Sequence, residues 1–227
     1  MTGALLLAAL QDGPWAASLA ALLQRLGFAP HVAAPGSAFA PASAGKVGLV
    51  IAGPGTPVPP TLLESWHAAG ALCAVAVAPG KHSDHGAFVA PLPAPTTEAA
   101  MLAMLAERHY VALPTHEAAA IPAAIAAQTL GDAGFAAELL QALVMSAQAD
   151  LAQLRAAGTD LETCGSIAHR MKSSAHYVGC NALRALAQRM EDAARSGDAC
   201  TVAALRAVFE PTCARLIELL TAMAAKT

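Results

Sequence analysis

Ala168-His169-Arg170-Met171-Lys172-Ser173-Ser174-Ala175-His176-Tyr177-Val178-Gly179 is the stretch on which the reading of this chain turns. Its spacing predicts a helix. Residues three, four and seven apart share a helix face, so Lys172, Ser173 and His176 gather around His169, with Glu162 two turns earlier. Cys164, Ile167, Met171, Ala175 and Val178 fall on a different, apolar arc. One side is therefore suited to a core, and the other carries an imidazole, an ammonium and hydroxyls. A neutral imidazole is a good nucleophile near neutral pH, because its unperturbed pKa is about 6.5. A cation one turn away can hold the oxygens of an incoming phosphoryl group and offset their charge. Small neighbours leave room for a partner to approach. A lone helical His is usually only solvated or hydrogen-bonded, and a lone Lys is an ordinary surface charge. The combination at fixed spacing, opposite an apolar stripe, is what points to a phosphoryl-accepting site.

The pattern His169-x-Met171-Lys172-Ser173-Ser174, with Gly179 ten residues after the His, resembles the motif of the histidine phosphotransfer (HPt) domain. That motif reads roughly His-x-Leu-Lys-Gly-Ser, followed by a Gly near the helix end. Here Met171 replaces Leu, and Ser173 stands where Gly is usual but is small enough to leave the site open. The resemblance continues through Leu183, Leu186, Met190-Glu191 and Ala194-Arg195-Ser196-Gly197-Asp198, which are similar to the family's next helix and turn, and it covers residues 114–227. It implies that His169 is the phosphoacceptor and that Lys172 holds phosphate oxygens. Ser173 and Ser174 would keep the approach open and donate hydrogen bonds. Arg195, on the next helix, is a lesser candidate for the same charge role. His176 shares the face, but the family does not require His there, so its plain reading is a residue that tunes the local charge. The implied partners are the receiver domains of a hybrid histidine kinase and of a response regulator. They bring the Asp and the Mg²⁺, so no cofactor or metal of the chain's own is expected.

Outward from this stretch, helical patterns dominate. Phe135 to Ala156 reads as a long helix that can turn Leu139, Leu140, Leu143, Leu151 and Leu154 to a core. Thr159-Asp160-Leu161-Glu162 has the form of a capping box for the His169 helix. Gly179 ends that helix, Asn181 to Arg195 forms the next, and Thr201 to Ala225 the last, with Pro211 expected to bend it. Four antiparallel helices joined by short turns make an up-down bundle. Glu117 to Gln128 reads as a short docking helix, and His109 to His116, containing Pro114, as a linker.

The first half alternates differently. Strands are expected at Gly3–Leu10, Pro30–Ala34, Lys46–Ala52, Leu72–Ala78 and Ala87–Ala90, with helices over Trp15–Leu26, Thr61–Ala69 and Thr96–Arg108. Strand–helix alternation implies a doubly wound parallel sheet. The spacing resembles a response-regulator receiver domain of flavodoxin-like order. Leu26-Gly27-Phe28 fits the end of its first helix, Gly48 to Gly53 with Pro57 its third strand and following loop, and Phe88 to Leu92 its fifth strand. The signature residues of that family are missing. Gly53 stands where its phosphoaccepting Asp would be, Leu10-Gln11 where its acidic pair would be with only Asp12 close by, Val77-Ala78 where Thr or Ser is usual, and Pro91 where Lys is usual. Gly, Leu and Pro supply neither a carboxylate nucleophile nor oxygen ligands. The expected organisation is a pseudo-receiver over residues 1–108, a linker over 109–116 and a phosphotransfer bundle over 117–227, as at the C-terminal end of hybrid sensor kinases. The pseudo-receiver would serve protein–protein contact only.

Composition narrows the rest. The chain has 227 residues, a formal net charge of −3 and only 4% aromatic residues. With no basic footprint, nucleic acid is not an expected partner. The five cysteines have no zinc spacing and read as reduced thiols of a cytoplasmic protein, itself part of a membrane-anchored sensor kinase or associated with one. Leu5 to Leu10 lacks the basic start of a signal peptide, and no segment reaches the ~18 apolar residues needed to span a membrane, so no membrane contact by this chain is expected. His82-x-x-His85 beside Asp84 reads as a polar loop before it reads as a metal site. No phosphate-binding Gly-rich loop is present, so the chain is not expected to act as an ATP-dependent kinase. The reading is a phosphorelay intermediate. The competing one is a non-catalytic adaptor that binds two-component signalling proteins.

Overall fold

A computed structural model describes residues 2–34, 47–79 and 88–225. The His82/His85/Asp84 group lies outside these residues. The described chain divides into two compact units, Thr2–Arg108 and His109 onward.

The first unit is a five-stranded, all-parallel sheet. Its strands are β1 (Thr2–Leu7), β2 (Phe28–Ala33), β3 (Val47–Ala52), β4 (Leu72–Val77) and β5 (Val89–Pro93). They lie in the order β2-β1-β3-β4-β5, the flavodoxin-like arrangement expected from the alternation. The helices are α1 (Gly13–Arg25), α2 (Pro60–Ala68) and α3 (Glu98–Glu107). Alternation along each strand splits the apolar residues between two layers. Leu5, Leu7, Val50, Ala52, Cys73 and Val75 pack with Leu63 and the fully buried Trp66 of α2. Leu6, Leu49, Ile51 and Ala74 point the other way and are equally buried. β1 is shorter than expected: it ends at Leu7, and Leu10 opens a 3₁₀ turn (Leu10–Asp12) with its side chain in solvent. The apolar run from Leu5 to Leu10 is thus continuous in sequence but is cut by the turn that feeds α1. Gly27, with φ 87°, closes α1.

The second unit is helical: α4 (Thr115–Gln128), α5 (Ala133–Ala156), α6 (Leu161–Tyr177), α7 (Asn181–Arg195) and α8 (Ala199–Ala224). The last four form the up-down bundle, with turns at Gly158, Gly179 and Gly197, all at positive φ. Cys164, Ile167, Met171 and Ala175 of α6 are fully buried, as the spacing predicts, against Leu183, Leu186, Ala187 and Met190 of α7 and Leu205, Phe209 and Leu216 of α8. Each buried Leu or Met contributes about 1.5–3 kcal/mol. Leu139 is only half-buried, and α8 runs unbroken through Pro211.

Two local expectations change. The cap of α6 is Asp160 rather than Thr159: its Oδ1 accepts from the backbone N–H of Glu162 (3.1 Å) and Thr163 (3.2 Å), and its Oδ2 accepts from the Thr163 hydroxyl (2.6 Å). Two good N-capping residues adjoin here, and the carboxylate takes the position. The docking helix α4 begins at Thr115, two residues ahead of Glu117. Upstream of it, Ala112 and Leu113 are buried, and the Ala112 N–H donates to Thr212 Oγ1 of α8 at 3.0 Å. Glu117 is itself buried, and its Oε2 accepts from the Ala182 N–H at 3.1 Å. A residue of α4 thereby satisfies one of the free donors at the start of α7, whose own N-cap position provides no side chain.

Candidate functional site

α6 buries Ala168 and Met171 and by the same periodicity turns His169 outward. The imidazole side chain is 62% exposed. Beneath it, on α7, lies Glu191, whose side chain is 10% exposed and whose carboxylate is the hub of the site. His169 Nδ1 is 3.3 Å from Glu191 Oε1. Lys172 Nζ donates to Oε2 at 2.5 Å, and Arg195 donates to Oε1 at 2.5 Å. Lys172 also donates to Gln188 Oε1 at 2.9 Å.

Burial works to raise the Glu191 pKa, but the hydrogen bonds and charges of Lys172 and His169 outweigh it and hold the carboxyl below the usual carboxylate range. Glu191 is therefore ionised at neutral pH and can only accept hydrogen bonds. It follows that His169 Nδ1 carries the proton facing it, which leaves the lone pair on Nε2, the outer nitrogen. The buried carboxylate thus fixes tautomer and ring orientation together.

His176 has the opposite arrangement. Its Nδ1 faces the Arg184 guanidinium at 3.4 Å. A guanidinium only donates, so a hydrogen bond between the two has His176 Nδ1 as its acceptor. Of the two imidazoles, His169 has a carboxylate behind its Nδ1 and His176 a guanidinium.

The serines are placed differently from their expected hydrogen-bonding role. The Ser173 hydroxyl donates to the His169 carbonyl and that of Ser174 to the Arg170 carbonyl, each at 3.3 Å. In these rotamers they bond back onto their own helix. Ser173 is exposed beside the site and Ser174 is half-buried. Arg170 is directed away from the site, toward α5, where it reaches Asp150 at 2.7 Å and Gln153 at 2.8 Å.

Room beside His169 comes from Gly165, one turn earlier. A Cβ there would lie 3.1 Å from the Ala194 Cβ, so its absence lets α6 and α7 approach closely. A hollow of about 270 Å³ lies here, lined by Glu162, Gly165, His169, Glu191 and Arg195 among others.

Glu191 is the residue whose role the sequence reading missed. The signal was available: a carboxylate flanked by Leu183, Leu186, Ala187, Met190 and Ala193, all buried, sits on an apolar stripe and requires partners.

The first unit has its corresponding region where β1 and β3 diverge, the crevice at which ligands bind in such sheets. Gly53 follows β3, and a Cβ added to it would lie 2.7 Å from Asp12 Oδ2. Asp12 is buried, and Thr56 Oγ1 donates to that same oxygen at 2.8 Å. The space an acceptor side chain would need is filled by Asp12. Among the described residues, no group of three or more His, Cys, Asp or Glu side chains is placed to hold a metal ion. No described helix is long and apolar enough to cross a membrane.

An exposed, carboxylate-oriented histidine on a four-helix bundle defines a class, that of histidine phosphotransfer modules. Residues 138–226 match the family model of the Hpt domain. Such domains serve histidine phosphotransfer in phosphorelays and interact there with receiver domains. No curated protein and no solved structure matches the chain.

Proposed function

We propose that this chain is a phosphorelay intermediate in which His169 takes a phosphoryl group from the aspartyl phosphate of one receiver and passes it to the Asp of another. The observation that carries this reading is the exposed His169 imidazole whose Nδ1 lies 3.3 Å from the buried Glu191 carboxylate, which orients Nε2 outward. Nε2 attacks the phosphorus, the P–N bond forms, and the P–O bond to the donor carboxylate breaks, with the electron pair leaving on that carboxylate. The Nδ1 proton stays shared with Glu191 throughout. Lys172 and Arg195, both held by Glu191, offset charge on the transferring oxygens. The partner supplies the Mg²⁺. The return step is the same displacement in reverse.

The first unit, in this reading, is a pseudo-receiver retained for protein contact. Its support is the Asp12-filled crevice and the Gly at 53.

Incubation with a phosphorylated receiver should give an acid-labile label on the wild-type protein and none on His169→Gln. Labelling of the variant overturns the assignment. A protein that binds receivers but never exchanges phosphoryl groups is the adaptor.

A further inference from the structure

The seam between α6 and α7 holds a second hollow, next to the one containing His169. It measures about 570 Å³ and is walled by Lys172, Ser173, His176 and Tyr177 from α6 and by Asn181, Arg184, Ala185 and Gln188 from α7. None of these residues carries a carboxylate. Lys172 is already balanced by Glu191. Arg184 is not balanced. Its guanidinium is exposed, its hydrogen-bond contact is the His176 ring at 3.4 Å, and it has no carboxylate partner among the described residues. The Tyr177 ring beside it is 48% exposed. His176 lies seven residues along α6 from His169, about 10 Å at 1.5 Å per residue, and Arg184 reaches it from α7.

We propose that this cleft is a second anchor for the partner receiver and that Arg184 selects the partner. The occupant is an acidic side chain on the receiver surface, outside its own phosphorylation pocket and about 10 Å from its acceptor Asp. The inference rests on the phosphotransfer reading above and names the partner chemistry for it. A receiver that docks its acceptor on His169 must cover this cleft as well. If its surface there is neutral or basic, Arg184 loses water and gains no counterion. If it is acidic, the pair is satisfied. Complementarity of this kind governs encounter and discrimination between partners rather than the chemical step.

The probe is a receiver domain with acidic residues beside its acceptor Asp. Loaded with beryllofluoride and Mg²⁺ it measures binding, and phosphorylated with acetyl phosphate it measures transfer. Arg184→Glu should raise both the dissociation constant and the half-saturating receiver concentration about tenfold or more, because like charges then face each other. Arg184→Lys should restore most of the affinity, and binding by Arg184→Glu should lose much of its salt dependence. Unchanged binding by Arg184→Glu overturns the anchor, as does a loss confined to the rate at saturation. Label on His169 with a silent Arg184→Glu leaves the transfer reading standing and removes the anchor. Binding that depends on Arg184 without any label on His169 does the reverse. A wild-type protein neither bound nor labelled overturns both.

Discussion

Glu191 decides how His169 presents itself, and two expected outcomes follow at the scale of single residues. Glu191→Gln keeps the shape but offers His169 an amide that can present either end, so the tautomer is no longer fixed. Phosphorylation should slow about fivefold to tenfold, the scale of one net hydrogen bond of about 1 kcal/mol, and the ¹⁵N shifts of the ring should move toward a mixture of tautomers. Stability responds to pH through the same carboxylate. Its folded pKa lies below the unfolded value, so its stabilisation is complete above the ordinary carboxylate range and fades as pH falls below 4.5 through the lowered value. In that window the melting temperature of wild type should fall more steeply than that of Glu191→Gln. Gly53→Asp gives the other outcome. Its Cβ would meet Asp12 Oδ2 at 2.7 Å and set two carboxylates together, which should cost about 1–3 kcal/mol. Chemical denaturation measures this, and the variant should gain no label from acetyl phosphate. The position of His169 and Lys172 on one face was legible from spacing alone. The Glu191 contact was not, because it joins residues on separate helices.

At the scale of elements, most helices and strands were legible from period and breakers, and the errors fall where a local pattern had two readings. Thr159 and Asp160 are both cap formers, and only the backbone geometry selects Asp160. The contribution of α4 was the least legible. Its Glu117 reads as an ordinary first-turn acid, yet it is buried and caps α7 across 65 residues of sequence. Glu117→Ala would leave the Ala182 N–H buried and unpaired, a cost of about 1–3 kcal/mol. Glu117→Gln retains an acceptor oxygen and should lose less. Amide exchange at Ala182 and Leu183 should accelerate in the Ala variant, which places the loss at the start of α7. Equal exchange in both proteins would mean that Glu117 does not support this end.

At the scale of the molecule, the cysteines give a direct check of the packing. Burial pushes the Cys73 thiol up to about 11 and that of Cys180 to about 12, the nearby Glu117 adding to the latter. Cys164 and Cys213 are also raised by burial. Only Cys200 is exposed. A native-state thiol titration at pH 8 should therefore count one fast thiol of five, and all five after denaturation. Two fast thiols would show that a core is looser than described. Two compact units also predict two unfolding transitions, each retained when the chain is cut after Arg108.

The hydrogen bond from Ala112 to Thr212 bears on where such a module can be excised. Anyone trimming the chain to the family match at residue 138 would discard Ala112, Leu113 and the whole of α4. Thr212 would then keep its own bond to the Val208 carbonyl but lose the strand of backbone that it holds, and the bundle end under α4 would be stripped to water. The portable unit begins at His109, about thirty residues before the recognisable motif region does.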